Sequence, residues 1–169
     1  MKTLKKILVP TDLTLNLLAA IEHASNLGRA FNAEIHIMHA VDCNPYDSIP
    51  RESDDMEELL KSLDIKILEQ MSSLVHKSKI DLNAVSLVVK FGDPVKEIIK
   101  YAEEENFDLV IMTSTAEYKV YEEVGQSIAH RVSQKSGVQV IVIKPALERF
   151  ALRSQNMNHT LLYDYDDNY

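Results

Sequence analysis

The sequence predicts a Rossmann-like, doubly wound α/β domain with a five-stranded parallel sheet and four helices. Three observations carry this. Five short apolar segments rich in Ile and Val alternate with four segments whose apolar residues recur at helical spacing. Most boundaries between them are marked by Pro, Gly or a helix-capping residue. Such alternation requires right-handed crossovers, which produce a parallel sheet covered by helices on both faces. A length of 169 residues suits one such core.

Lys5-Lys6-Ile7-Leu8-Val9-Pro10 reads as a short buried strand closed by proline. Thr14 is the expected N-cap of a first helix carrying Leu17, Leu18, Ile21, Ala24 and Leu27. Ala33–Val41 is the second strand, and Cys43–Pro50, with two prolines, is a loop. Ser53-Asp54-Asp55 opens a long helix to about Lys79, its apolar face formed by Met56, Leu59, Leu60, Leu63, Ile67, Met71, Leu74 and Val75. Val85–Phe91 is a third strand ended by Gly92. Asp93 then caps a helix with Pro94 at its first position, where the missing N–H costs nothing. That helix runs to about Glu105 through Ile98, Ile99 and Ala102. Asp108–Met112 is the fourth strand and Thr113–Val124 a polar loop. Gly125–Ser136 is the fourth helix, with Ile128, Ala129 and Val132 facing inward, and Val138–Lys144 is the fifth strand. Pro145 stops the alternation. Residues 145–169 form either a frayed tail or a segment docking through its tyrosines on the domain or a partner subunit.

Composition narrows the function classes. Hydrophobic residues are 46% and charged residues 26%, ordinary for a globular chain. No apolar run approaches the roughly 20 residues that cross a bilayer. Ile7-Leu8-Val9 stops at Pro10, too short for a signal-peptide core, so a cytoplasmic location is expected and a membrane partner is not. Net charge is −8, with acids dense at Glu52–Glu58 and Glu103-Glu104-Glu105, whereas a nucleic-acid partner needs clustered Lys and Arg. The single cysteine, Cys43, excludes an intrachain disulfide framework.

In open α/β sheets, ligands sit at the carboxyl ends of the strands where strand order reverses. Three groups gather there: Pro10-Thr11-Asp12 after the first strand, Val41-Asp42 at the end of the second, and Thr113 to Ser127 after the fourth. The last leads into a helix whose N-terminal N–H groups suit a phosphate.

These marks resemble the universal stress protein family over residues 4–145. They are Ile7-Leu8-Val9-Pro10-Thr11-Asp12, Gly92-Asp93-Pro94 with Ile98 and Ala102, Asp108–Met112, Gly125-Gln126-Ser127 and the closing Val138–Pro145 strand. The resemblance implies sheet order 3-2-1-4-5, a homodimer, and a 1–145 domain followed by a 146–169 extension. It also implies that Asp12 and Val41 hold a nucleoside, with the phosphates of ATP or another adenine nucleotide on a glycine-rich loop after the fourth strand. Here the chain departs from the pattern. Thr113 and Ala116 replace the two leading glycines of Thr113-Ser114-Thr115-Ala116, eight residues rather than nine separate Ala116 from Gly125, and Gln126 stands between Gly125 and Ser127. Backbone N–H groups curl around a phosphate most easily where glycine permits it, and a β-branched residue such as Thr113 is especially unsuited to the positive φ this can require. Hydroxyls of Thr113, Ser114, Thr115 and Ser127 are partial substitutes as donors.

Catalytic readings are weaker. His36 and His39 are three apart on a strand, so they face opposite sides and cannot share a metal. Ser127 lacks a base that this topology would place within reach. The expected protein is a non-enzymatic universal-stress-type regulator acting as a homodimer on an unknown protein partner, with a degenerate nucleotide crevice and no certain cofactor. The alternative is an ATP-binding stress protein in which nucleotide binding or slow hydrolysis is the working step. The edge strand Val138–Lys144, apolar on both faces, is the expected dimer seam, since pairing it with its copy removes an open edge.

Overall fold

The structure, a computed structural model, describes residues 3–43, 54–114 and 127–144. Within them the chain runs β1 (Lys6–Pro10), α1 (Leu17–Phe31), β2 (Glu34–Val41), α2 (Asp54–Lys77), a 3₁₀ turn at Leu82–Ala84, β3 (Ser86–Phe91), α3 (Pro94–Glu104), β4 (Leu109–Thr113), α4 (Ile128–Lys135) and β5 (Gln139–Ile143). The strands form one parallel sheet in the order β3-β2-β1-β4-β5.

Alternation along the central strands sorts their side chains into two cores. Ile7, Val9, Ile35, Ile37, Leu109 and Ile111 face α1 and α2, where Ile21, Ala24, Ile67, Met71 and Val75 meet them. Leu8, Met38, Val110 and Met112 face the other way, onto Val95, Ile98 and Ala102 of α3 and Ala129 and Val132 of α4. The apolar periodicity of the sequence is therefore the reason each helix lies where it does.

Several boundaries differ from the sequence expectation. Thr14 is not the cap of α1; Asn16 is, without a side-chain cap bond. Thr14 is instead held by Asp12, whose Oδ1 accepts from the Thr14 N–H (3.0 Å) and hydroxyl (2.6 Å). The helix α2 stops at Lys77 because Lys79 turns left-handed, φ +60°. Leu59, Leu60 and Leu63, expected on its apolar face, are only half-buried, while Met56, Ile67, Met71, Leu74 and Val75 of the same face are buried. Asp108 lies before β4, and its Oδ2 accepts from the Lys5 and Lys6 N–H groups at 2.8 and 3.2 Å. The helix α4 begins at Ile128, since Ser127 takes the cap and its Oγ accepts from the His130 N–H. Ile128, expected inside, is 44% exposed. Gly125 and Gln126, expected to open the fourth helix, and residues 145–169 lie outside the described residues.

Asp93 and Pro94 behave as their chemistry requires: Asp93 Oδ1 accepts from the Lys96 N–H and Pro94 opens α3. Gly92 before them has φ +148°, and a Cβ there would come within 2.9 Å of Glu97 Oε1, so this turn needs glycine.

Near the opposite end of the sheet, His36 packs edge-on to Phe107 (5.0 Å between centroids) and its Nδ1 lies 3.0 Å from the Tyr101 hydroxyl. Burial, aided by the Lys6 charge, holds the His36 imidazole below its usual range against the opposing pull of Glu34 and Glu105. The neutral ring is thus favoured in the fold, whereas the unfolded chain protonates it at the ordinary value near 6.5. Stability contributed by this site is present above that value and declines as pH falls below it, because the unfolded state binds the proton better. We expect the urea midpoint to drop between about pH 7.5 and about pH 5.5, with a shallower drop in His36→Gln. Equal slopes in the two proteins would remove His36 as the cause.

Candidate functional site

With this strand order, the reversal falls between β1 and β4, the position where an open parallel sheet leaves a crevice at its carboxyl edge. A crevice of about 260 Å³ lies there. Pro10, Thr11 and Asp12 enter it from β1 and the turn after it, Met38, His39 and Ala40 from β2, Pro94 and Ile98 from α3, Met112 and Thr113 from β4, and Ser127, Ile128 and Ala129 from the start of α4.

The turn after β1 is tied down by several hydrogen bonds. The Thr11 N–H donates to the Met38 carbonyl at 2.8 Å, and His39 Nδ1 lies 2.8 Å from the Thr11 carbonyl. Thr11 Oγ1 accepts from the Leu13 N–H at 2.9 Å, which steadies Leu13 at φ +64°, a conformation uncommon for a bulky residue. Asp12 Oδ1 is committed to Thr14; Oδ2 carries no hydrogen bond among the described residues, and Asp12 is exposed. Asp12 is therefore a carboxylate oriented from behind, with an acceptor oxygen to offer a ligand hydroxyl or amino group.

Across the crevice, Thr113 is the last residue of β4, opposite Ile143 in the ladder. It is extended, so the steric objection to a β-branched residue at positive φ does not apply here. What replacing glycine brings at this position is bulk and a hydroxyl. Ser127 Oγ caps α4 by accepting from the His130 N–H at 3.2 Å, so this hydroxyl is a structural acceptor facing a helix N-terminus. The described lining holds Asp12 and no Lys or Arg.

Pro10, Thr11, Asp12, Thr113 and Ser127 are thus brought to one crevice from separate parts of the chain. Val41 and Ser114 are not among its lining residues. Val41 packs its side chain on the α1/α2 core, and its carbonyl accepts from the Gly92 N–H at 2.8 Å. Register explains this: Pro10 pairs with Met38, so β2 runs three residues past the end of β1 and its tip lies beside Phe91 of β3 instead. The Ser114 N–H extends the ladder to the Ile143 carbonyl. Thr115, Gly125 and Gln126 lie outside the described residues. Met38, His39 and Ala40 were not singled out for this site from sequence, although strand alternation places Met38 and Ala40 on the α3/α4 face. Only the stagger of β1 against β2 brings them to its mouth. His36 and His39 do diverge: one meets Tyr101, the other the Thr11 carbonyl.

A family model described as the universal stress protein family matches residues 3–144. The universal stress protein MJ0531 of Methanocaldococcus jannaschii is 30% identical over 142 residues, covering 83% of this chain and 82% of the relative. The solved structure of MJ0577 superposes with a TM-score of 0.68 at 26% identity, over 85% of this chain and 98% of that one. A universal stress protein solved in complex with cAMP shares the fold, with a TM-score of 0.62 at 17% identity over 85% of this chain and 98% of that one.

Proposed function

Because this chain belongs to the universal stress protein family, we propose that it is a cytoplasmic, non-enzymatic stress-response regulator. It works as a homodimer paired through β5, and its crevice takes an adenine nucleoside or nucleotide. The observation that carries this reading is the meeting of Asp12, Thr113 and Ser127, from three separate elements, around one mostly apolar crevice at the sheet's reversal point. The apolar walls (Met38, Ile98, Met112 and Ala129) suit a planar base, and Asp12 suits ribose hydroxyls or an exocyclic amine. A regulatory role rather than a catalytic one is supported by Ser127 and Asp12 Oδ1 being engaged in local structure, the one as a helix cap and the other in a turn. A relative of the same fold is seen with cAMP, which supports a nucleotide as the ligand class.

The alternative, with ATP as the working ligand, draws on the first turn of α4. Ser127, Ile128 and Ala129, which open it, line the crevice, and Ser127 Oγ takes the His130 N–H. Titration calorimetry with adenosine, AMP and ATP separates the readings. Adenosine and AMP are expected to bind, with ATP no tighter than AMP, because the described lining supplies no cation to the outer phosphates. Asp12→Ala is expected to weaken all three by about tenfold or more, the cost of one charge-assisted hydrogen bond. ATP binding tighter than AMP by about tenfold or more would establish the alternative. Failure of all three to bind would end the nucleotide reading.

A further inference from the structure

We propose that His39 is a positioning residue for the crevice: its imidazole holds the Thr11 peptide and thereby sets where Asp12 presents its carboxylate to a ligand. This rests on the nucleoside reading of the crevice. The bonds that shape the turn after β1 fall into two groups. Those from Leu13 to Thr11 Oγ1 and from Thr14 to Asp12 Oδ1 are local and fix only the turn's internal shape. Two others reach across to the neighbouring strand, and both are on Thr11: its N–H donates to the Met38 carbonyl, and its carbonyl faces His39 Nδ1 at 2.8 Å. Consecutive residues of β2 thus grip the two polar groups of one peptide-bearing residue, immediately before Asp12. A carbonyl only accepts, so Nδ1 carries the proton, and this holds for the neutral ring and for the imidazolium. The Met38 bond continues the parallel ladder that any residue at 38 would make. The His39 bond depends on the side chain, so it is the part of the clamp the sequence chose.

The left-handed Leu13 makes this clamp consequential. A bulky residue at φ +64° persists where its surroundings hold it there. Without the His39 bond the turn keeps its local bonds and the packing of Leu13 on the α1/α2 core, but the Thr11 peptide gains freedom to rotate about the Met38 bond, shifting Asp12 with it. His39 is only partly buried, so replacing it leaves both cores intact.

The test uses adenosine as probe on the full chain, with His39→Leu and His39→Asn, the latter offering an amide N–H close to where Nδ1 stands. His39→Leu is expected to weaken adenosine binding by about tenfold, as expected for a lost orienting hydrogen bond, and His39→Asn to recover most of that loss. Placed on an Asp12→Ala background, His39→Leu should cost nothing further, because it acts through Asp12. Amide hydrogen exchange is measured on the same proteins without ligand: Asp12 and Leu13 should exchange faster in His39→Leu and return toward wild type in His39→Asn. Undiminished binding in His39→Leu, no recovery in His39→Asn, or full additivity with Asp12→Ala would overturn the proposal. If the wild type does not bind adenosine, the nucleoside reading fails. The exchange rates then decide the clamp by themselves, and unchanged rates in His39→Leu would refute it.

Discussion

Ile37→Ala is expected to destabilise the protein by about 3 kcal/mol, lowering the melting temperature by roughly 6–12 °C for a chain of this length. Ile37 is fully buried in β2, paired with Val9 on one side and Leu87 on the other. Its side chain belongs to the core that α1 and α2 close against the sheet. Truncation removes three carbons from a place where neighbouring strands on both sides and helices above leave little room to collapse. The loss is then the transfer term together with a cavity term. Ile65→Ala is the internal comparison. Ile65 lies on the outer side of α2 and is 59% exposed, so the same truncation should shift stability by less than about 0.5 kcal/mol. Urea unfolding at constant m-value measures both. Similar small shifts in the two variants would mean that the sheet centre is not the stability core.

Val142→Lys is expected to turn the proposed dimer into a monomer. The strand β5 pairs only with β4 within the described sheet, and Ile141 and Val142, which point to opposite faces, are 44% and 43% exposed. Two such faces at one open edge combine unpaired backbone groups with apolar surface, a combination that invites another strand. A second copy related by a two-fold axis meets both needs at once. In such an interface one substitution acts twice, bringing two lysines near one axis, and the like charges add to the desolvation each must undergo. Sedimentation equilibrium should give a mass near twice 19.2 kDa for the wild type and near 19.2 kDa for Val142→Lys, with the monomer still folded by circular dichroism. A wild type that sediments as a monomer would refute the homodimer outright. A variant that remains dimeric would move the interface away from β5.

The fold and the site were legible to different degrees. Strands and helices were recoverable because their cause is local: Ile7-Leu8-Val9 and Val110-Ile111-Met112 are apolar runs buried on both faces, and Ile98 and Ala102 repeat at helical spacing. Caps depend on which neighbouring side chain competes for the same groups. Asp93 caps α3 as its position suggests, while Thr14 was displaced because Asp12 engages both its N–H and its hydroxyl, so the helix starts later. Thr113 shows a further limit. A β-branched residue in place of glycine suggested backbone strain, yet the ladder to Ile143 keeps it extended and no positive φ is required.

By itself the sequence determined the order of the elements, most of the apolar stripe each helix buries, the family, and that Pro10-Thr11-Asp12 and Ser127 fall at the carboxyl edge of the sheet. These follow from periodicity and from residues adjacent in the chain. The tertiary structure decided the rest: that β2 overshoots β1 so Met38, His39 and Ala40 rather than Val41 line the crevice, that Ile128 stays half-open at its mouth, and that His39 reaches the Thr11 carbonyl 28 residues away. Stagger between strands is set by how two cores pack on opposite faces at the same time, and no local run of residues encodes it.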